Sequence, residues 1–430
     1  MTSAPAVATA GAPGQDRSHR AVVSYLAFVA VVMAVGVDIA LPAFREIDDT
    51  FRVTDSGGSI SLITTTYFLG MAFGQLVFGP ASDRFGRRPC LIIGIVLTVI
   101  GALGSALAPS FELLLVARVV WGLGAASPGV LRTTIARDLF DGDQMARVVS
   151  IVMAVFLVGP ILVPSIGQAV LSVGSWRTVF MVATLVSAIG LVWTLQFGET
   201  LRPEHRRDFD LRTFASGCRS VLRNRTTRSY IFAQMFTTGA FQIFLGSGQP
   251  IMDRIYGRGS QFALLFGGCG LFVAAALVGS TKLIGRYGTR TMVVRAGFAL
   301  LGFSIAGLVL MVASDGVPPF GLWFIWLAFT NATVVAMSPM CNALALEPMR
   351  DLAGTASAVL GFITLAGGAG LASIFDVLIV DSVTPMGVGY VLYGSIAVAI
   401  IVRIGQRDPK RTRSTPESQT EPSSAFKPHG

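Results

Sequence analysis

Two charged side chains stand where charge is expensive. Asp38 lies in VGVDIALPAF and Arg118 in LLLVARVVWGLGAASPG, each inside a long apolar run. An acid at the centre of a membrane helix costs about 2.5–3.5 kcal/mol on insertion scales, so it is expected to face a cavity or a partner. Such a carboxyl can take up and release a proton or hold a cation. A neighbouring guanidinium favours its ionised form, burial opposes it, and a ligand can tip the balance. Asp38 and Arg118 are therefore candidate coupling residues, and pairing between them is one reading. An acid that reaches outward to water and a guanidinium tied to backbone carbonyls are the others. Asp376, near the end of another apolar run, reads as an interfacial residue. A third charged group is the turn GPASDRFGRRP, 79–89, where Asp83 stands beside Arg84, Arg87 and Arg88. It fits ion pairing or a helix N-terminus, or a plain turn.

Enzyme chemistry finds no footing. The histidines (His19, His205, His429) fall in polar segments, no Cys/His metal spacing exists, and no nucleophile stands near a base. GLGAAS, 122–127, superficially looks like a dinucleotide loop, but no strand precedes it, and close helix packing explains it better. No cofactor is expected.

The elements that carry these residues are membrane spans. The chain is 53% hydrophobic and 13% charged, with a mean hydropathy of +0.67, against about 25% charged residues in a soluble domain. A span needs roughly 20 apolar residues to cross about 30 Å. Twelve such runs are predicted: 21–41, 57–79, 90–108, 113–131, 148–173, 178–197, 229–250, 262–281, 292–313, 320–341, 353–375 and 386–404. The first is too long for a signal core and lacks a cleavage pattern, so it is expected to remain as an anchor. Of 33 Lys and Arg, 27 fall in the tails and the loops on their side. Five fall opposite (Arg45, Arg52, Arg177, Arg254, Arg258). Positive charge stays inside, which predicts both termini in the cytoplasm. The net charge of +9 is then a topology signal and not a nucleic-acid footprint. Cys90, Cys218, Cys269 and Cys341 avoid the outer loops, so no structural disulfide is expected.

Six spans precede a polar stretch and six follow it. The expected organisation is an N-tail (1–20), an N-terminal six-helix bundle (21–197), a cytoplasmic loop (198–228), a C-terminal six-helix bundle (229–404) and a C-tail (405–430). Both tails are polar and expected to be disordered. The loop carries eight arginines against four acids; its DLRTFASGCRSVLRNR segment fits either a helix on the inner leaflet or a solvated linker. TKLIGRYGTRT, 281–291, repeats the 79–89 turn at an offset of 202, with Gly285 where Asp83 stands. Span five carries Gly159, Pro160, Pro164 and Gly167 in GPILVPSIGQ. Two prolines four apart remove backbone donors and bend a helix.

The turn G-x-x-x-D-R-x-G-R-R between spans two and three resembles the signature of the major facilitator superfamily of secondary transporters. DIALP in span one, LLVARVVWGLGAA in span four, and GPILVPSIGQ followed by SWRTVF are similar to its Bcr/CflA branch of drug:proton antiporters. The resemblance covers all twelve spans in arrangement, although its specific motifs lie in the first half. Gln168 stands where a second glycine commonly follows Gly167, and the second-half turn lacks its acid.

The resemblance implies an all-α fold of two pseudo-symmetric six-helix bundles in a bacterial-type inner membrane, working as a monomer. It implies proton-coupled efflux of small amphipathic compounds, with chloramphenicol-type antibiotics among the candidates. Asp38 would serve proton and substrate, with Arg118 modulating it. Gly79, Asp83, Arg84, Gly86, Arg87 and Arg88 would form the inner gate motif, and the span-five residues the antiporter-type motif. Tyr67, Phe232, Phe236, Phe241 and Phe244 are candidate pocket walls. A proton-coupled uptake symporter is the alternative; a non-transporting membrane sensor or scaffold is the alternative of another class.

Overall fold

A computed structural model describes residues 19–201, 204 and 210–405. The expected tails lie almost wholly outside the described residues, as does part of the central loop. Among the described residues the secondary structure is helical throughout. That is what lipid demands, since a helix satisfies its own backbone where no water can.

The helices are α1 (His19–Asp38), α2 (Phe44–Phe51), α3 (Leu62–Phe85), α4 (Arg87–Leu107), α5 (Phe111–Leu139), α6 (Gly142–Val173) and α7 (Trp176–Gln196). They continue as α8 (Leu211–Arg223), α9 (Arg225–Pro250), α10 (Phe262–Tyr287), α11 (Thr289–Ala313), α12 (Phe320–Leu346), α13 (Ala353–Asp376) and α14 (Thr384–Gly405). Leaving out the short α2 and the surface helix α8, twelve are of membrane-crossing length. α9 is the most polar of them, and a 3₁₀ turn over Glu347–Leu352 separates α12 from α13. Twelve crossings return the chain to the face it started from, here called the terminal face; the opposite one is the far face.

Several helices outrun the apolar runs that mark them. α5 extends to Leu139 and α6 begins at Gly142, well beyond the residues whose hydropathy betrays a span. Polar side chains set the starts. Ser110 accepts from the Leu113 N–H, Ser175 and Thr178 form a reciprocal cap on α7, and Asn224 accepts from the Thr227 N–H. At α8, the Thr213 hydroxyl and the N–H groups of Thr213 and Arg212 bond Asp210, holding its carboxyl below the usual range.

α1 and α3–α7 pack among themselves, as do α9–α14. The two sets meet where α3 packs on α13 and α6 on α10. One apolar core runs through both sets, while α9, α11, α12, α13 and α14 have a second core towards the terminal face. The segment that fitted either a leaflet helix or a linker is a helix, and it docks on protein. Val221 is buried in that second core, and Gly217 lies against Thr355 at the start of α13.

Small residues let backbones touch, as membrane helix packing requires in the absence of a hydrophobic drive. A Cβ added at Gly122 of α5 would stand 1.9 Å from the Tyr67 carbonyl oxygen of α3. At Gly302 of α11 a Cβ would meet nothing within 4 Å. Gly122→Ala is therefore expected to lower the melting temperature of the purified protein, at an overpacking cost of about 1–3 kcal/mol or more. Gly302→Ala should melt at or slightly above the wild type. Equal melting of the two variants would contradict this packing.

Candidate functional site

α1 does not cross the membrane unbroken. It ends at Asp38, turns, and resumes through a 3₁₀ turn at Leu41–Ala43 into α2. Pro42 cannot donate to the carbonyl four residues before it, so the break frees acceptors inside the apolar slab. Arg118, 1% exposed, supplies a donor to one of them, the Gly36 carbonyl. Its Nη1 donates to the Gly36 carbonyl at 2.9 Å and its Nε to the Ile63 carbonyl of α3 at 3.2 Å. The guanidinium also lies over the rings of Tyr67 and Trp121, at 4.5 and 4.9 Å from their centroids. Of the readings open for Arg118, the structure displays the tie to carbonyls.

Asp38 is 4% exposed. Among the described residues, no hydrogen bond or ion pair reaches its carboxyl, so it is not paired with Arg118. Beside it two more polar atoms are buried without partners, the Tyr67 hydroxyl and the Trp121 Nε1. Both crowd Gly36, where a Cβ would stand 2.3 Å from the hydroxyl. The result is a cluster of unused polar groups around one helix break.

The span-five residues belong to the same place. α6 is a single continuous helix that contains Pro160 and Pro164. A Cβ at Gly159 would lie 2.6 Å from that of Ala34, and one at Gly167 would lie 2.6 Å from the Ile39 carbonyl oxygen. On α6's other side Ile161 packs against Gly267 and Gly270 of α10. α6 thus joins the turn after Asp38 to the second set of helices.

The 79–89 turn is built around Gly86, whose φ of 103° is a conformation that disfavours side chains. The Glu199 carboxylate occupies the space a Cβ would need. It accepts from the Arg87 and Arg88 N–H groups at 2.9 and 3.3 Å, placing an anion at the N-terminus of α4. Arg87 donates to Asp83 at 2.5 Å, to Asp138 of α5 at 2.9 Å and to the Ser82 hydroxyl. Arg88 donates to the Leu195 carbonyl. All these bonds stay within the first set of helices, and Gly79 meets nothing within 4 Å of where a Cβ would be. Gly288 repeats the positive φ at 78° in the second-half turn, and there Arg290 pairs with Glu347 at 3.2 Å.

The candidate pocket aromatics separate. Tyr67 joins the Arg118 cluster. Phe236 packs on Tyr393, and Phe241 and Phe244 pack on each other, with Phe244 stacked on Phe266. Phe232 is half-buried. These four serve the second set of helices.

The sequence reading missed the far face. There Arg254 donates to Asp48, and Arg45 donates to Asp253 at 3.2 Å, so two ion pairs cross between the sets. Asp376 ends α13 at the far face and is buried in protein there. It accepts from Ser247 of α9 at 2.5 Å, and with Ser61 at the head of α3 it lines a cavity of about 60 Å³. A buried acid within a few residues of a span end was the available signal. The ion-paired residues are more than 200 positions apart and carried none.

Two packed sets of membrane-spanning helices, with the first span broken at a buried, unpaired carboxyl, have the architecture of a membrane transporter. A family model described as Major Facilitator Superfamily matches residues 26–373, and the chain belongs to that family. It is 29% identical over 377 residues to a bicyclomycin resistance protein homolog of Haemophilus influenzae, covering 86% of this chain and 93% of the relative. It is 26% identical over 388 residues to multidrug resistance protein D of Escherichia coli, covering 87% and 94%. The crystal structure of a D-xylose-proton symporter superposes with a TM-score of 0.73 at 15% identity, over 89% of this chain and 96% of that one. That likeness is one of fold.

The crossed ion pairs make the far face testable. In a cysteine-free background carrying Ser61→Cys, adding Asp48→Arg should speed maleimide labelling on the order of tenfold, the equivalent of about 1.4 kcal/mol. Adding Arg254→Asp as well should slow it again. If reversal leaves labelling unchanged, these pairs do not hold the far face closed.

Proposed function

We propose that this transporter exports small amphipathic compounds in exchange for protons by alternating access. It would do so as a monomer in a bacterial inner membrane, with the terminal face in the cytoplasm. The observation that carries the reading is Asp38, buried and unbonded at the break of α1. An ionised carboxylate left unpaired in that setting costs several kcal/mol. A proton removes the cost, and so does a cationic or polar group of a substrate, which makes the two competitors for one site. Arg118 fixes the broken end and sets the field in which they compete.

The relatives named for bicyclomycin and multidrug resistance support export of drugs; the proposed cargo class includes compounds of the chloramphenicol type. So does the seating of Gly159 and Gly167 against α1, since it links the coupling residue to a helix that bridges both sets. Segments 21–197 and 229–404 would be the moving units. Gly79, Asp83, Arg84, Gly86, Arg87 and Arg88 would act at the inner gate by keeping α3, α4, α5 and α7 together. One charge moved through 100 mV is worth about 2.3 kcal/mol, enough for roughly a fiftyfold substrate gradient.

Inverted vesicles energised by respiration and loaded with a pH-sensitive dye test this directly. A panel of hydrophobic antibiotics and dyes should release lumenal protons in the wild type. Asp38→Asn should abolish the release while the protein remains inserted and melts normally. Normal coupled export by Asp38→Asn would sink the mechanism. Proton movement into the cytoplasm together with the substrate would replace it with uptake.

A further inference from the structure

α5 carries a second buried arginine that the coupling site does not use. Arg132 is 8% exposed and lies 14 positions beyond Arg118, about 21 Å further along the helix axis towards the terminal face. The two are treated very differently. Arg118 is bonded to two carbonyls; the Nε and Nη1 of Arg132 are buried without a partner. The Arg132 guanidinium lies 4.5 Å from the centroid of the Phe156 ring of α6, and this is its one specific contact among the described residues. Around it Thr133, Ala136, Val149, Val152 and Met153 pack together between the terminal-face ends of α5 and α6, with no space for a water molecule left among them. Among the described residues no carboxylate answers it. Asp138, the nearest acid in sequence, is engaged by Arg87.

A guanidinium presents five N–H donors in a planar fork and does not deprotonate in a protein. Buried donors without acceptors carry the full cost of their lost hydration, and an unpaired buried cation costs more. A cation–π contact returns only part, about 0.5–2 kcal/mol. The chemistry that completes such a fork is a carboxylate, phosphate or sulfonate, which binds through paired charge-assisted hydrogen bonds.

We propose that Arg132 is the acid-recognising element of a substrate entry subsite at the terminal-face ends of α5 and α6. The site is closed in this structure; when the ends of α5 and α6 part, it would admit amphipathic compounds that carry a carboxylate, with their apolar part against Phe156, Val149 and Val152. The inference rests on the export reading above, in which the terminal face is the cytoplasmic entrance. It adds an anionic group to the cargo class, recognised about 21 Å along α5 from the residue that caps the break.

Rhodamine B and its ethyl ester form a matched fluorescent pair, differing in the free carboxylate. Dissociation constants for both are measured on the purified full-length protein in neutral phosphatidylcholine nanodiscs, for wild type, Arg132→Gln and Arg132→Lys. The wild type should bind rhodamine B more tightly than the ester. Arg132→Gln should weaken rhodamine B about tenfold, the scale of one charge-assisted contact, and leave the ester unchanged. Arg132→Lys should fall between. Equal binding of the two dyes by the wild type overturns the proposal, as does binding of neither. An equal loss for both dyes in a variant that melts normally also overturns it, since Arg132 would then be structural. So does a dependence on Arg132 that appears only in anionic nanodiscs, because a lipid headgroup would then be the partner. Proton release driven by the ester in inverted vesicles reports on the export reading separately. Its absence would reject that reading and leave the binding result standing.

Discussion

A helix that breaks inside a bilayer must find donors for the carbonyls it frees, because lipid offers none. Arg118 meets that demand at the end of α1, and much else in the molecule follows from it. The guanidinium must be buried to reach the Gly36 carbonyl, so it needs the Ile63 carbonyl and two aromatic faces to tolerate burial. That requirement holds Tyr67 and Trp121 in place, and brings α5 against α3 closely enough that Gly122 accommodates no side chain. With its cation spent on backbone, the site leaves Asp38 without an ion pair. The break is what makes the acid available.

The two sets of helices repeat each other in outline and differ in their tying. Both have a positive-φ glycine at the turn after their second crossing. In the first set Glu199 caps α4, and a buried Arg87 gathers the half-exposed Asp83 and the partly buried Asp138. In the second, a half-exposed pair of Arg290 and Glu347 stands at the corresponding place. At these turns the first set thus joins three helices through one arginine and one cap, and the second joins two segments through one pair.

Much of this was legible in the sequence. Hydropathy marked the crossings because each apolar run has to match the slab. The 79–89 turn was readable because its glycine and arginines are consecutive. Asp38 and Arg118 stood out as charges among apolar neighbours. What lay beyond reach was partnership. Nothing local distinguishes an arginine that pairs with Asp38 from one that bonds the carbonyl two residues earlier. The ion pairs of Arg45 and Asp48 with Asp253 and Arg254 join distant segments, and their residues look like ordinary loop charges. The amphipathic pattern of α8 was visible, but a leaflet and a protein surface present the same apolar face to it. Arg132 fell just past an apolar run and passed for a flanking charge.

The contacts of α6 have a mechanical consequence. It touches α1 through Gly159 and Gly167, and it meets α10 where Ile161 rests on Gly267 and Gly270. Smooth backbone lies against smooth backbone on one side, and a single aliphatic chain lies against two glycines on the other. Each of these contacts depends on a glycine, so a movement of α6 past α1 or α10 needs this track to stay free of side chains. Any bulk added along that track would act as a brake, slowing turnover while leaving the affinity of the resting site untouched.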